Sequence, residues 1–356
     1  MRAVSLKQGE LALRELPTPV PGAGQVLVRT LACAICASDH HYMDHPEVSR
    51  EDRSHMRVDA PDEDVVMGHE FCAEVVAYGP DTRAEWPVGT RVTSIPALFG
   101  ADGMRVVGMA PDAPGGFGEQ FLLSEGFVRA VPDDMPVEHV ALTDALAVGW
   151  YYTRLGVEGA PARGAVPLVL GLGAIGLSVV MALRERDSGP VVAADYAPSR
   201  RVLAQELGAD VVVDPAERSP WEVWREVAWG APEEVHDRVR LSGLPTCTAY
   251  EMVGRDGVLA AIVDECPIGT RILSCGGAAR DEIRTTVAHT KGLNLQIGGG
   301  PMPDDWYATL DLVIGGRLDP APLIGERVSL DGLVDAIARA RRPDAPVRIV
   351  YVADAP

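Results

Sequence analysis

Cys36, His69 and Glu70 are the residues whose types and spacing most directly suggest chemistry. Cys36 lies at the end of one strand-like run. His69 and Glu70 lie next to each other in a second segment, VVMGHEF. Thiolate and imidazole are preferred zinc ligands, and a catalytic zinc needs about three protein ligands with a position left for water or substrate. Cys36 and His69 are 33 positions apart, unlike the closely spaced pairs of a structural zinc finger. The pattern therefore predicts a catalytic zinc site.

A glycine-rich turn gives the second chemical signal. The turn follows the strand-like VPLVL, opens an apolar helical stretch and reads G-L-G-A-I-G, with members Gly171, Gly173, Ala174, Ile175 and Gly176. These glycines permit a tight turn, close approach of a pyrophosphate, and helix-to-strand packing. Asp195 ends the next strand, 24 positions after Gly171, where its carboxylate can accept from a ribose hydroxyl. We expect a dinucleotide site, although a methyltransferase site or an unliganded turn shares this pattern.

Asp195 also predicts the choice of dinucleotide. Its carboxylate suits the ribose hydroxyls of NAD and would repel the 2′-phosphate of NADP. Arg200, expected at the 3′-hydroxyl side of the same ribose, and Arg201 favour NADP, because arginine can pair with a phosphate. The carboxylate outweighs an exposed arginine, so NAD is the predicted cofactor.

Composition excludes several classes of function. The chain has 356 residues, enough for two domains, and a formal net charge of −19, which argues against nucleic acid and anionic membrane partners. No apolar run approaches the roughly 18 residues of a membrane helix, and the N-terminal segment alternates instead of forming a signal-peptide core. The six cysteines lack the spacing of a disulfide framework. We therefore expect a cytoplasmic protein.

The elements that must position these residues change in type along the chain. The first third is rich in short strand-like runs such as QVLVRTLAC and FGEQFLLS. From about Val137, helical stretches alternate with apolar strands, which predicts an α/β, doubly wound Rossmann domain with a parallel sheet. The tail after Gly298, with two helical stretches and a closing VRIVYVA strand, fits either domain.

At this point the sequence resembles the zinc-dependent medium-chain alcohol and polyol dehydrogenases. The shared motifs run in the family's order over nearly the whole chain: Cys33 to Asp39, Gly68-His69-Glu70, Gly115 to Glu119, the glycine-rich turn with Asp195, and Gly315 to Pro320. The resemblance implies a distorted GroES-like β-barrel catalytic domain at 1–145, an NAD-binding Rossmann domain at 146–297, and a return to the catalytic domain at 298–356.

The resemblance also assigns roles to single residues. It implies that Cys36 and His69 are zinc ligands, that Glu70 is a ligand or lies beside the metal, and that Asp144 is the remaining ligand. Ser38 resembles the hydroxyl that contacts the alcohol oxygen, and His41 the base that passes its proton to solvent. The family further implies a small-molecule alcohol or carbonyl substrate and a homodimer or homotetramer.

The sequence departs from the family in three places. The stretch that carries four cysteines for a structural zinc in many relatives has none here, so we expect one catalytic zinc per chain. A polar insertion, 44–64, is expected to rim the active-site cleft. Ala37 replaces an arginine that contacts the cofactor phosphates in some relatives.

We therefore predict an NAD-dependent zinc alcohol dehydrogenase that interconverts a primary, secondary or polyol alcohol and its carbonyl product. The alternatives are a zinc-free quinone or enoyl reductase of the same superfamily and a non-catalytic nucleotide-binding protein. The Cys36, His69 and Asp144 set disfavours the first, and Ser38 disfavours the second.

Overall fold

The computed structural model describes residues 1–45, 62–100, 103–158, 165–230, 246–276, 280–342 and 344–353. The chain divides into two units, Met1–Asp144 with Leu310–Pro356, and Ala145–Thr309. The sequence predicts that the chain returns to the first domain at residue 298. The structure divides the units at Leu310, about a dozen residues later. Most of the predicted 44–64 insertion, residues 46–61, lies outside the described residues. None of the helices in the described ranges is both long and apolar enough to span a bilayer.

The first unit is built mainly from antiparallel strands. Its strands are β1 (Arg2–Lys7), β2 (Glu10–Glu15), β3 (Gln25–Ala34), β4 (Val65–Val66), β5 (Glu70–Tyr78), β6 (Arg91–Ser94), β7 (Ala97–Gly100), β8 (Gly103–Val106), β9 (Gln120–Ser124), β10 (Val128–Ala130), β17 (Ile324–Val328) and β18 (Arg348–Val352). Seven of them form one sheet in the order β10-β6-β5-β3-β18-β17, with β9 paired to β3. Apolar side chains of β3, β5 and β9 pack with those of the C-terminal segment into one core.

The antiparallel register of the long strands brings distant parts of the sequence together. Ala34 at the end of β3 lies opposite Glu70 at the start of β5. On its other edge β3 pairs with β18, where Val350 lies opposite Ala34. The residues just past β3, just before β5 and at the start of β18 are therefore neighbours.

The second unit contains a parallel sheet. Its strands are β11 (Ala165–Leu170), β12 (Val192–Ala194), β13 (Val211–Val213), β14 (Thr246–Glu251), β15 (Arg271–Ser274) and β16 (Asn294–Ile297). The order β13-β12-β11-β14-β15-β16 is that of two mononucleotide-binding halves meeting between β11 and β14. This order confirms the predicted doubly wound domain.

Helices connect and flank these strands. They are α1 (Ala37–Asp44), α2 (Val137–Ala141), α3 (Thr143–Glu158), α4 (Ala174–Glu185), α5 (Pro198–Glu206), α6 (Pro220–Trp229), α7 (Val258–Glu265), α8 (Thr285–Lys291), α9 (Pro303–Ile314) and α10 (Leu333–Ala340). The boundaries between the two units fall inside α3 and α9. In the second unit, Trp224 of α6 is fully buried and its indole N–H donates to the carbonyl of Val166 on β11. This contact fixes α6 against the middle of the sheet.

Candidate metal centre and dinucleotide site

The structure brings three of the predicted metal ligands together. Donor atoms of Cys36, His69 and Glu70 all lie within 4.8 Å of one another. The two strands explain this meeting, because Cys36 follows the end of β3 and His69 precedes the start of β5 in an antiparallel pair. The 33-residue separation in sequence thus becomes a contact in space.

The segment that carries His69 is held by backbone packing. Gly68 has φ +97°, and a Cβ there would lie 2.8 Å from the Cys33 Sγ and 2.9 Å from the Phe117 backbone nitrogen. A Cβ on Gly115 would in turn approach the Gly68 carbonyl oxygen to 2.3 Å. Glycine is required on both sides of this contact, which accounts for the G-H-E and G-G-F-G-E motifs in one chain.

Asp39 supports both Cys36 and His69, and sequence reasoning gave it no role. It is fully buried in the first turn of α1, and its Oδ2 accepts from the backbone N–H of Cys36 at 2.9 Å. Its Oδ1 lies 3.4 Å from Nδ1 of His69. A carboxylate beside one ring nitrogen orients a histidine so that the other nitrogen can bind a metal. That other nitrogen, Nε2, lies 3.1 Å from the Ser38 hydroxyl.

Arg348 is the second residue that sequence reasoning missed. It opens β18, its side chain is only 5% exposed, and its Nη2 donates to Oε1 of Glu70 at 2.8 Å. The same nitrogen lies 3.8 Å from Sγ of Cys36. A lone arginine within the apolar strand VRIVYVA was the available signal, since a buried guanidinium requires an acidic partner.

These contacts alter the acidity of the cluster. Burial opposes ionisation of the Cys36 thiol, but the charge of Arg348 and the hydrogen bond with His69 lower its pKa to about 6. Burial likewise opposes protonation of His69, yet Asp39 and Cys36 raise its pKa well above the ordinary value. Burial raises the pKa of Glu70, and Arg348 acts against that shift. The surroundings therefore favour Cys36 as a thiolate, the form that binds metals.

The donor set fits a zinc ion. Thiolate, imidazole and carboxylate are the ligands found in catalytic zinc sites. Oε2 of Glu70 is buried and accepts no hydrogen bond within the described part of the chain. A buried carboxylate oxygen without a donor needs a further partner, and a cation supplies one.

Three other residues are predicted to belong to this site: Ser38, His41 and Asp144. Ser38 and His41 are both on α1, and the His41 ring is 5.2 Å from that of His45 between centroids. Asp144 lies in the first turn of α3 and is outside the group of three donors. Its role as a zinc ligand therefore remains a prediction.

The glycine-rich turn has the geometry that the pattern predicts. Gly171 has φ +83°, and Gly173 caps the N-terminus of α4, with Ala174 and Ile175 in the first turn. A Cβ on Gly176 would lie 1.8 Å from the Gly171 carbonyl oxygen. Gly173 has open space where a Cβ would stand, which suits the close approach of a phosphate.

Asp195 lies just past β12 and contacts this turn. Its Oδ2 accepts from the backbone N–H of Leu172 at 2.7 Å, and its Oδ1 accepts from Ala197 N–H at 2.8 Å. Each carboxylate oxygen has a second lone pair for a ribose hydroxyl. Arg200 Nη1 is 4.0 Å from Oδ2.

Arg201 has several acceptors of its own. It donates to the carbonyls of Asp195 and Tyr196 and pairs with Asp214 at 2.8 Å. Three acceptors therefore hold the Arg201 guanidinium, whereas the role of Arg200 beside the ribose stays a prediction.

Comparisons with known proteins agree with this geometry. Residues 22–133 match the alcohol dehydrogenase GroES-like domain. The chain is 29% identical over 346 residues to an L-threonine 3-dehydrogenase from Rhizobium rhizogenes, covering 93% of this chain and 92% of that protein. It is 32% identical over 250 residues to the (R,R)-butanediol dehydrogenase of Bacillus subtilis, covering 67% and 69%. A Sinorhizobium meliloti 1021 structure, assigned as a zinc-binding dehydrogenase and bound to NADP, has a TM-score of 0.79 and 25% identity, covering 99% and 98%.

The fold, the donor cluster and these similarities define a class of enzyme. The chain belongs to the zinc-dependent medium-chain dehydrogenase/reductase family, as the sequence motifs predicted. It is an NAD(P)-dependent oxidoreductase of the alcohol and polyol dehydrogenase type.

Proposed function

We propose that this enzyme oxidises a small secondary alcohol whose neighbouring carbon carries an amino or hydroxyl group, with NAD as the hydride acceptor and one zinc per chain. The observation that carries the proposal is the Cys36, His69 and Glu70 cluster with the Ser38 hydroxyl 3.1 Å from the His69 ring. It combines a metal site and a proton-accepting hydroxyl in one place.

The residues of the cluster have separate tasks in this proposal. Cys36 and His69 would hold the ion together with Asp144, the further ligand that the resemblance implies, and Glu70 would either bind it or lie beside it and leave that position to the substrate. Zinc bound there would supply Lewis acidity, which lowers the pKa of an alcohol that binds it toward neutrality. Asp39 fixes the orientation of His69, and Arg348 compensates the buried charge of Glu70.

Proton removal falls to α1. The Ser38 hydroxyl would accept the proton of the alcohol as it releases its own, and His41, one turn further along the helix, would take up that released proton and pass it to solvent. His41 is half-buried, so its ring can exchange protons with water. A bound nicotinamide would supply the hydride acceptor, which accounts for the two electrons lost by the carbinol carbon.

The substrate class rests on the relatives. L-threonine 3-dehydrogenase and (R,R)-butanediol dehydrogenase are named for substrates that share a methyl carbinol beside a carbon bearing nitrogen or oxygen. Similarity to both supports this shared unit as the reacting group here.

The preference for NAD rests on Asp195. Its two hydrogen bonds from backbone N–H groups fix the carboxylate at the carboxyl end of β12, next to the glycine-rich turn. A dianionic 2′-phosphate placed there would meet a fixed negative charge, whereas ribose hydroxyls would donate to it.

Assembly and location extend the proposal beyond the site. We infer a homodimer or homotetramer from the family alone. The six cysteines all lie in the described residues and none forms a disulfide, which supports a reducing, cytoplasmic compartment.

The test is a panel assay on the purified, zinc-loaded protein. NADH formation is measured with L-threonine, (R,R)-butanediol, a simple primary alcohol and a polyol, each with NAD and with NADP. We expect the first two to be turned over best, with NAD. A Cys36→Ala variant serves as the metal-site control and should lose both zinc and activity. No turnover of any alcohol in the panel, together with oxidation of NAD(P)H by a quinone or an enone in the zinc-free protein, would instead favour a quinone or enoyl reductase.

A further inference from the structure

Glu251 is a buried acidic residue that the mechanism above does not use. It is the last residue of β14, at the carboxyl end of the strand next to β11, and is 2% exposed. Its Oε1 accepts from the backbone N–H groups of Val253 and Gly254, both at 2.8 Å. Its Oε2 accepts from the Ser274 hydroxyl at 2.7 Å. Three donors thus compensate the buried charge, and within the described residues no cation forms an ion pair with it.

The carboxylate holds two loops against each other. Gly254 has φ +70°, and a Cβ there would lie 1.7 Å from the carbonyl oxygen of Gly276. A Cβ on Gly276 would lie 2.4 and 2.6 Å from the two carboxylate oxygens of Glu251. The loops after β14 and β15 therefore meet backbone to backbone directly over this side chain.

The first of these loops also contacts the glycine-rich turn. Met252 N–H donates to the carbonyl of Leu170, the last residue of β11, at 2.9 Å. A Cβ on Gly171 would lie 2.8 Å from a methyl carbon of Val253. The loop that Glu251 fixes is thus one wall of the crevice in which this sheet order places a dinucleotide.

Further contacts extend the arrangement to β16. Ser274 accepts through its carbonyl oxygen from the Gly298 N–H at 2.9 Å and from the Tyr152 hydroxyl at 3.3 Å. The Tyr152 hydroxyl also lies 3.3 Å from the carbonyl oxygen of Gly299. The carboxyl ends of β14, β15 and β16 are therefore linked side by side.

We propose that Glu251 is a positioning residue that shapes the nicotinamide half of the cofactor site. A doubly wound domain binds one mononucleotide on each half of its sheet. Asp195 follows β12 and marks the adenosine half, so the nicotinamide half lies over β14, β15 and β16. Glu251 acts through the backbone of 252–254 and 274–276 without touching the ligand. The inference rests on the dinucleotide use proposed above.

The test compares ligands that occupy one half or both halves of the site. NADH spans both halves, whereas AMP is confined to the adenosine half. Their dissociation constants are measured by calorimetric titration in the wild-type protein and in three variants. Glu251→Met keeps the volume but removes every acceptor. Glu251→Gln can still accept from the two N–H groups and donate to the Ser274 oxygen. Glu282→Met is the matched control, since the Glu282 side chain is 79% exposed.

We expect Glu251→Met to weaken NADH binding about tenfold and to leave AMP binding within about twofold, because unpaired buried donors displace the loops of one half only. Glu251→Gln and Glu282→Met should bind both ligands within about threefold of wild type. Wild-type NADH affinity in Glu251→Met, or an equal loss for both ligands, would overturn the proposal.

A second variant keeps the proposal testable if Glu251→Met does not fold. Ser274→Ala removes one of the three donors to Glu251 and should weaken NADH binding about threefold relative to AMP binding. An unchanged ratio of the NADH and AMP dissociation constants would equally overturn the inference. Absence of NADH binding in the wild-type protein is a different result, which contradicts the proposed dinucleotide use.

Discussion

Asp195→Asn should relax the discrimination between NAD and NADP. The substitution removes the negative charge next to the ribose site and keeps one oxygen that can accept from Leu172 or Ala197 N–H. Asp195→Ala is a poorer test, because it would release both backbone groups and disturb the glycine-rich turn itself.

The magnitude follows from the charges at the site. A carboxylate about 4 Å from a phosphate costs roughly 4 kcal/mol per unit charge at an effective dielectric constant near 20. Arg200, 4.0 Å from Oδ2 and partly exposed, offsets part of this repulsion. If about 1.4 kcal/mol or more of the repulsion between Asp195 and the 2′-phosphate remains, the wild-type enzyme prefers NAD by about tenfold or more. Without the charge, the preference should fall to within about threefold, since Arg200 then pairs with the 2′-phosphate.

The assay is kcat/KM for NAD and NADP in wild type, Asp195→Asn and Asp214→Asn. Asp214 is the matched control, because it follows the neighbouring strand β13 and pairs with Arg201. Asp214→Asn removes the same charge at the end of the neighbouring strand and leaves the two backbone acceptors of Arg201 in place. The reasoning is refuted by equal use of NADP in the wild type, or by an Asp214→Asn shift as large as that of Asp195→Asn.

Four further predictions concern the zinc site and stability. Ser38→Ala should lower kcat about a hundredfold while zinc content and NADH affinity stay near wild type, as expected for a lost proton acceptor; an unchanged kcat removes Ser38 from the mechanism. Metal analysis should find one zinc per chain, and a deficit in Asp144→Asn; two zincs, or none in active protein, contradict the site. Lys291→Ala should cost about 1–3 kcal/mol in urea unfolding, because its ammonium donates to three carbonyls at the end of α7. Although burial opposes ionisation of Asp64, its contacts with Ser5 and Lys7 lower its pKa. Asp64→Asn should therefore lower the free energy of unfolding by about 1 kcal/mol at neutral pH. The difference between variant and wild type should vanish when the pH falls below the lowered pKa of Asp64, and a difference that persists there contradicts the assignment.

Sequence patterns predicted the parts of this protein that depend on local chemistry. The glycine-rich turn, β11 and β12 follow from glycine spacing and continuous apolar runs, which are typical of buried parallel strands. The same pattern does not predict the strand β14, since TCTAYE has polar residues at Thr248 and Glu251 and gives no apolar run. Both residues are buried all the same. Here the neighbouring strands, rather than the segment's own pattern, decide the structure.

The metal cluster shows where sequence reasoning reaches its limit. Cys36 and His69 could be inferred from ligand type, but their support comes from residues far away in the chain. Arg348 contacts Glu70 across 278 positions and lies there because β18 pairs with β3. The burial of Glu70 is compensated only when this last strand has joined the sheet; removing either partner alone leaves a buried charge, at a typical cost of about 3–5 kcal/mol. The return of the C-terminal segment to the first unit is therefore a condition for the metal site as well as for the core.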